Sequence, residues 1–480
     1  MKFINRRKEL TELTEVEALS KKKLFVVAIY GLRRVGKTRL LLEFLRVVGS
    51  GRGSGDGSGS GYGRDGLYFF VNKNKTSADL LEEFQGIMKR NGLLGELESL
   101  VSWDKFFEVL ITREAPPIVF DEFQNFRFVE PSVMGILQKS IDLNEDKPGL
   151  IFLSGSLIGL MKKLFKDSKE PLYGRIKKGM KLEPLALESC FEIGELLKLR
   201  KEDLMELYFL FGGYPRYYVA VEDFGLEGKK SWDIVKHLFL AKDAPMEDEV
   251  GSILSQEFGG RSGTYYSILE AIANGNNTIS SIASGMNTPP TSLTRQVKEL
   301  KDHFEMIELE LPFSGRKGVY RIKHPLMEFW FSNIHRNFSE YAERKQEFLD
   351  KLKGNLNAFY GKRFEAAARE LVVSELGLDM AKRQWGKIAG AAKGENTYEI
   401  DILGRKGGEV FAFECKWSDV DYPEAKSILA KLKDKIRHVP RVPGTAHLGI
   451  VAKRMTNKQE LRADGYYAYD LADFYLGAKK

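Results

Sequence analysis

The sequence predicts an α/β protein in several units: a parallel sheet flanked by helices, a mostly helical stretch, a small region of helices closed by two strands, and a second α/β unit. Three observations predict it. Four short apolar runs, "LFVVAIY" (24–30), "LYFFV" (67–71), "PIVF" (117–120) and "LIFLS" (150–154), are separated by longer helix-like segments. Continuous apolar strands of this kind belong to parallel sheets covered on both faces. The pattern changes at 262–324 to helix, short helix, helix, then two strands around "PFSGRKG". From residue 355 the chain returns to α/β character, and "YEIDILGRKGGEVFAFECKW" (398–417) sets two alternating runs around a glycine-containing turn, as in an antiparallel hairpin.

A chain of 480 residues holds two to four domains with sizeable cores. The net charge of +7 permits a nucleic-acid partner without requiring one. The two cysteines, Cys190 and Cys415, supply neither a disulfide framework nor a zinc spacing, and they fit a reducing compartment. The N-terminus lacks a signal-peptide apolar stretch and no run approaches the roughly 20 apolar residues of a membrane span. The expectation is a cytoplasmic protein with no membrane partner. Residues 49–66 are Gly/Ser-rich and read as a flexible loop: a surface insertion, a substrate-facing lid or a linker.

The first apolar run is followed by "GLRRVGKT" (31–38) and a helical run, the context a phosphate-binding loop requires. Its glycines let backbone N–H groups close around phosphate oxygens, and the helix N-terminus adds partial positive charge. Gly31, Leu32, Arg33, Arg34, Val35, Gly36, Lys37, Thr38 and Arg39 form the expected nucleotide-binding set. Lys37 reaches the β/γ-phosphates of ATP, and the Thr38 hydroxyl ligates Mg²⁺. "PPIVFDEFQ" (116–124) ends a buried strand in two carboxylates: Asp121 for the metal and Glu122 as general base for the attacking water. "FLSGS" (152–156) places small hydroxyl residues at a strand end. In "PLYGRIKKG" (171–179), Arg175 is a candidate for stabilising transition-state charge in cis or in trans, against the plainer reading of a surface ion pair.

Taken in order, "FINRRKEL" (3–10), "GLRRVGKT", "VFDEFQ", "LSGS", "LYGR" and "FGGYPRYY" (211–218) resemble the archaeal-type P-loop ATPases of the STAND/AAA-like group, over about residues 3–260. The resemblance implies that the N-terminal stretch lies near the adenine, with Phe3, Arg6 or Arg7 lining the base pocket. It also implies that Gly212, Gly213 and Pro215 belong to a lid motif. The Gly/Ser-rich insertion departs from the family's compact loop. Many members carry a C-terminal extension similar to PD-(D/E)XK nucleases.

The 262–324 region reads as a winged helix. Leu293, Val297, Leu300 and Phe304 follow helical spacing toward a core. Arg295, Lys298 and Lys301 lie on the other side, with Arg316 and Lys317 at the wing tip. Such a basic face suits DNA, although winged helices also contact proteins and basic faces are often merely solvated.

In the terminal hairpin, alternation puts Glu399, Asp401 and Leu403 on one face of the first strand, and Glu414 and Lys416 with Val410 and Ala412 on one face of the second. Upstream, "FYGKRFEAAARELV" (359–372) is a helix carrying Glu365. A helix Glu, a strand Asp and then E-x-K is the order of a PD-(D/E)XK nuclease, with Glu399-Ile400-Asp401 standing where Pro-Asp is usual. Glu365, Asp401 and Glu414 would hold Mg²⁺, which prefers oxygen ligands, and Lys416 would orient water and offset phosphate charge. The plainer alternative is an edge hairpin blunted by Lys and Glu.

The expected fold is therefore a P-loop NTPase core (1–181) with a helical lid (182–260), a winged helix-turn-helix (261–332), a helical connector (333–354) and a restriction-endonuclease-like domain (355–480). The expected function is an ATP-hydrolysing, DNA-acting protein with a Mg²⁺-dependent nuclease-like domain. The alternative is a nucleotide-dependent regulatory switch whose terminal domains only bind DNA or a protein. Both are compatible with a homo-oligomer.

Overall fold

The four apolar runs become neighbouring strands of one sheet. The computed structural model describes residues 3–51, 66–113, 115–259, 263–343, 346–388, 390–392, 396–442 and 446–474; most of the Gly/Ser-rich stretch lies outside them. The chain forms two compact units: residues 1–185 with 214–219 and 302–305, and residues 186–213 with 220–301 and 306–480.

The first unit contains α1 (Arg7–Ser20), β1 (Leu24–Tyr30), α2 (Lys37–Gly51), β2 (Leu67–Phe70), α3 (Ser77–Arg90), α4 (Trp103–Thr112), β3 (Ile118–Asp121), α5 (Phe126–Val129), α6 (Val133–Asp142), β4 (Gly149–Gly155), α7 (Ile158–Lys166) and β5 (Lys178–Lys181). The sheet order is β2-β3-β4-β1-β5 with every neighbouring pair parallel. Thr76 and Ser102 cap α3 and α4 by accepting from the backbone N–H groups of Asp79 and Lys105, satisfying donors a helix start leaves open. Phe69, Phe84, Phe106 and Phe120 pack edge-on or tilted in the core over β2 and β3. The sequence reading did not anticipate β5: of "KGMK" only Met180 is buried, and its pairing with β1 makes it a strand.

The second unit begins with helices α8 (Leu187–Leu196), α9 (Lys201–Phe211), α10 (Pro215–Asp223), α11 (Ser231–Val235) and α12 (Glu249–Phe258). Of the expected lid, residues 182–185 and 214–219, the latter including the first half of α10, group with the first unit, while 186–213 and 220–260 group with the second. The reason is apolar packing: Phe209 meets Trp417 at 4.9 Å between ring centroids, and Phe364 meets the same ring at 5.1 Å. Next come α13 (Gly263–Ala273), α14 (Ile279–Gly285), α15 (Pro290–Lys298) and the antiparallel pair β6 (Ile307–Glu310) and β7 (Val319–Ile322). This is the element order expected of a winged helix. Leu293, Val297 and Leu300 are buried, whereas Phe304 is only partly so, because the helical turn that continues α15 ends at His303.

The remaining elements are α16 (Pro325–Phe329), α17 (Phe338–Ala342), α18 (Gln346–Leu376), β8 (Met380–Lys387), β9 (Thr397–Lys406), β10 (Glu409–Val420), α19 (Tyr422–Ile436), β11 (His447–Met455), α20 (Lys458–Ala463) and β12 (Tyr467–Tyr469). Their mixed sheet has the order β12-β11-β10-β9-β8: β8 to β10 form an antiparallel meander, and α19 crosses over to the parallel β11. The connector boundary expected at 354/355 falls inside α18. That helix runs unbroken for 31 residues, with Phe348, Leu352, Leu356 and Phe359 buried along it. The β6–β7 hairpin is fixed to the β8 edge: Phe313 N–H donates to the Arg383 carbonyl (2.9 Å), Ser314 N–H to Gln384 Oε1 (2.8 Å) and Ser314 Oγ to the Pro440 carbonyl (2.9 Å).

Candidate nucleotide site and carboxylate cluster

The carboxyl end of β1 leads into the phosphate loop. A Cβ at Gly31 would stand 2.3 Å from the Leu182 carbonyl oxygen, so that position admits no side chain. Gly36 has φ 95°, a left-handed turn that suits glycine. Lys37 Nζ donates to the Gly31 and Leu32 carbonyls at 2.8 and 3.0 Å. Thr38 Oγ1 donates to Asp121 Oδ2 at 2.5 Å, and Tyr68 O–H donates to the same oxygen at 2.8 Å. Burial first, then the Asp121 charge, raises the Tyr68 pKa, keeping its proton available as a donor. Glu122 takes a left-handed conformation (φ 53°). Its Oε2 accepts from Ser156 Oγ (2.8 Å) and from Gln124 Nε2, and its Oε1 lies 3.9 Å from Arg33.

The other expected contributors are placed differently. Arg6 is buried, and its guanidinium donates to the Val35 and Glu183 carbonyls at 3.0 and 2.7 Å and pairs with Glu9. It braces the phosphate loop. Phe3 is half-buried, and Arg7 is exposed at the start of α1. Arg175 is a correction. Its Nε and one terminal nitrogen each donate to Asp142 at 3.0 Å. Lys177 N–H bonds to the Val26 carbonyl, three residues before β5 pairs Met180 with Ile29. Arg175 thus lies toward the amino-terminal end of the sheet, whereas the phosphate loop leaves the carboxyl end. It is the surface ion pair, and the parallel strand direction keeps it from the phosphate loop of its own chain.

In the second unit, one oxygen each of Glu365, Glu399 and Asp401 lies within 4.8 Å of the others. Two residues of β9, Asp401 and Ile402, stand opposite the single residue Arg383 of β8. This β-bulge re-aims the side chains that follow it. Leu403 therefore packs with Tyr398 and Ile400, and does not share the face of Glu399 and Asp401 as alternation had predicted. Asp401 Oδ2 accepts the Cys415 N–H at 2.7 Å. Glu365 Oε2 is buried and accepts no hydrogen bond.

Arg383 stands among these acids. Its Nε is 3.1 Å from Glu365, another nitrogen pairs with Glu399, and a third is 3.0 Å from Glu310. Burial alone would lower the Arg383 pKa, but the surrounding carboxylates raise it. Burial, then the Asp401 charge, pushes Glu365 up to about 7. Burial raises Asp401 as well, opposed by the Cys415 N–H.

Glu414, expected as a third ligand, is not one of the three mutually close carboxylates, although the Asp401 charge reaches it. It shares its strand face with Val410 and Ala412, which pack with Leu432 and Ile436 of α19, and Lys435 of that helix donates to it at 2.7 Å. Burial and the Asp401 charge still raise Glu414. Lys416 Nζ is 3.9 Å from Glu414. The structure thus joins Glu365 to Asp401, adds Glu399, and leaves Glu414 with two lysines alongside.

Residues 3–221 match the family described as "ATPase domain predominantly from Archaea". They form an archaeal-type P-loop ATPase domain. The first unit's parallel sheet and Thr38–Asp121 pair belong to this ATPase domain. Residues 330–428 match a second family, described as archaeal and bacterial proteins of unknown function. An uncharacterized protein of Methanocaldococcus jannaschii is 28% identical over 98% of this chain and all of its own length. Among solved structures, the Walker-type ATPase of Pyrococcus abyssi is 21% identical with a TM-score of 0.52, covering 68% of this chain and 96% of that one. The Aeropyrum pernix ORC2 protein is 15% identical with a TM-score of 0.47, over 72% and 93%.

Around the ATPase domain, sequence reasoning missed Tyr68 on Asp121 and the Ser156 and Gln124 contacts to Glu122. A strand-end "SGS" was the available signal for Ser156; nothing local marked Tyr68. In the terminal sheet it missed Arg383 and Lys435, which act from elements the motif does not include.

Proposed function

We propose that the chain binds and hydrolyses ATP with Mg²⁺ and uses its second unit on nucleic acid, where a divalent-metal site hydrolyses phosphodiesters. For the ATPase part, the carrying observation is the 2.5 Å contact from Thr38 to Asp121: hydroxyl and carboxylate oxygens are the donor set Mg²⁺ takes in P-loop sites. The metal, when bound, bridges phosphate oxygens and offsets developing charge. Lys37 would exchange its two loop carbonyls for phosphate oxygens. Glu122, aimed by Ser156 and Gln124, would take the proton of the attacking water. Lys37→Ala should lose nucleotide affinity. Glu122→Gln should bind ATP but turn over at least about 100-fold more slowly; equal turnover would remove Glu122 from that role.

For the nuclease part, support comes from the convergence of Glu365, Glu399 and Asp401, an oxygen-only set that suits a hard cation, with Glu365 Oε2 buried and accepting no hydrogen bond although Arg383 Nε lies 3.1 Å from it. Such a cation would supply Lewis-acid stabilisation and a more acidic bound water. Lys416, 40% exposed, would face the substrate phosphate. Cleavage of DNA and RNA with Mg²⁺ and Mn²⁺ tests this: Asp401→Ala should abolish it and leave ATP hydrolysis intact. Persistent cleavage in Asp401→Ala would sink the reading. A second reading, the nucleotide-dependent switch that binds without cutting, is favoured by Arg383, whose guanidinium already neutralises Glu365 and Glu399.

A further inference from the structure

We propose that the cleft between the β6–β7 hairpin and the edge strand β8 seats one strand of nucleic acid. The hairpin tip is then a wall of the channel to the carboxylate cluster, and not a free DNA-reading wing. The inference rests on the nucleic-acid reading above but not on cleavage.

The cleft measures about 760 Å³. That lies in the range of small-molecule and cofactor pockets, enough for one or two nucleotides and too little for a turn of duplex. Arg316 and Lys317 at the hairpin tip and Lys387 on β8 line it, together with the rings of Trp385 and His438, while Tyr398 forms part of its floor and is itself buried in the core. Among the described residues none of these three cations has a carboxylate partner, so their charge faces whatever enters. Arg295, on the expected recognition helix, is instead paired with Glu299 at 2.9 Å. A positive groove interleaved with ring faces holds single strands with little sequence preference, the cations tracking phosphates and the rings stacking on bases.

Two further features fix the arrangement. Phe313 and Ser314 clamp the hairpin to Arg383, Gln384 and Pro440, so the tip stays on the sheet. Arg383 and Glu399 line the cleft and also belong to the carboxylate cluster. A strand seated beside Trp385 would therefore run to Glu365 and Asp401.

The test is equilibrium binding of fluorescently labelled 12-nucleotide oligo-dT, oligo-U and a 12-base-pair duplex to the full chain in EDTA, across a salt series. Metal-free conditions separate binding from cutting, so a protein that fails every cleavage assay still answers this question. Wild type should bind either single strand more tightly than the duplex. Arg316→Ala/Lys317→Ala should weaken single-strand binding by about tenfold and flatten the salt dependence by about 1.4 in log–log slope, the value for two lost phosphate contacts. Lys387→Ala should remove about half that slope change. These side chains are solvent-facing, and an unchanged thermal melt verifies folding. Tighter duplex binding, an unaltered slope in both variants, or no binding by wild type would each overturn the proposal. A preference between oligo-dT and oligo-U would assign the strand as DNA or RNA.

Discussion

Glu365 carries two opposed demands. Its carboxyl titrates near 7 in the folded chain, against about 4.3 when exposed in an unfolded one. A raised folded value means that the unfolded state gives up the proton first. The stability this group contributes is therefore complete below about pH 4.5 and is lost as pH rises through 7. The loss amounts to about 4 kcal/mol. Urea unfolding of the metal-free second unit should show this decline, and Glu365→Gln should flatten it. If the decline persists in Glu365→Gln, the titrating group is another one. Mn²⁺ should restore stability above pH 7, where the carboxylate is already ionised. Glu310 is a second test at the same scale. It lies 3.1, 3.6 and 3.0 Å from Arg321, Arg369 and Arg383. Glu310→Gln leaves three partly buried guanidiniums facing one another and should cost about 3 kcal/mol, read as a shift of the unfolding midpoint.

Gln384 links two secondary-structure elements. It is buried at 1% exposure, accepts the Ser314 N–H, and donates to the Tyr398 hydroxyl and the Trp385 carbonyl. Gln384→Ala should destabilise the second unit by about 1–3 kcal/mol, because partners are left unsatisfied, and should raise hydrogen exchange at Ser314 before the β9 core exchanges. Unchanged protection there would show that the clamp does not hold the hairpin. Strands such as β1 and β4 were legible in the sequence because both faces are buried, which produces an uninterrupted apolar run. "MAKRQWGK" of β8 was not legible, because charged residues project from it and its partners neutralise them. The phosphate loop and Asp121-Glu122 were legible because their chemistry needs residues close in sequence. Asp401 and Glu365 were also found, but the bulge opposite Arg383 has no sequence signature, so the face of Leu403 was assigned by an alternation the backbone does not keep.

For the whole molecule, two compact units imply that one unfolding free energy does not describe the chain. Calorimetry should resolve two transitions. A non-hydrolysable ATP analogue with Mg²⁺ should raise the one assigned to the first unit by the linkage term, about 2.7 kcal/mol at 100 times the dissociation constant, and move the other less. A single transition that shifts as a whole would instead report strong coupling between the units. No helix among the described residues is long and apolar enough to cross a membrane.

Helix α18 limits how this chain can be cut and recombined. It is a rod of 31 residues, roughly 46 Å long, and its later half carries Glu365. The matched terminal family already begins at residue 330, ahead of the helix. A fragment excised at 355 would strip the rod of nine residues and lose with them the buried side chains of Phe348, Leu349 and Leu352. Gene fusion or domain exchange would therefore succeed at a junction upstream of 346 and fail within the rod. Insertion of one residue between Glu365 and the end of the rod would also turn everything downstream by about 100° around the rod axis, carrying Asp401 away from Glu365. The length of this segment thus sets which side chains of the terminal sheet Glu365 can meet.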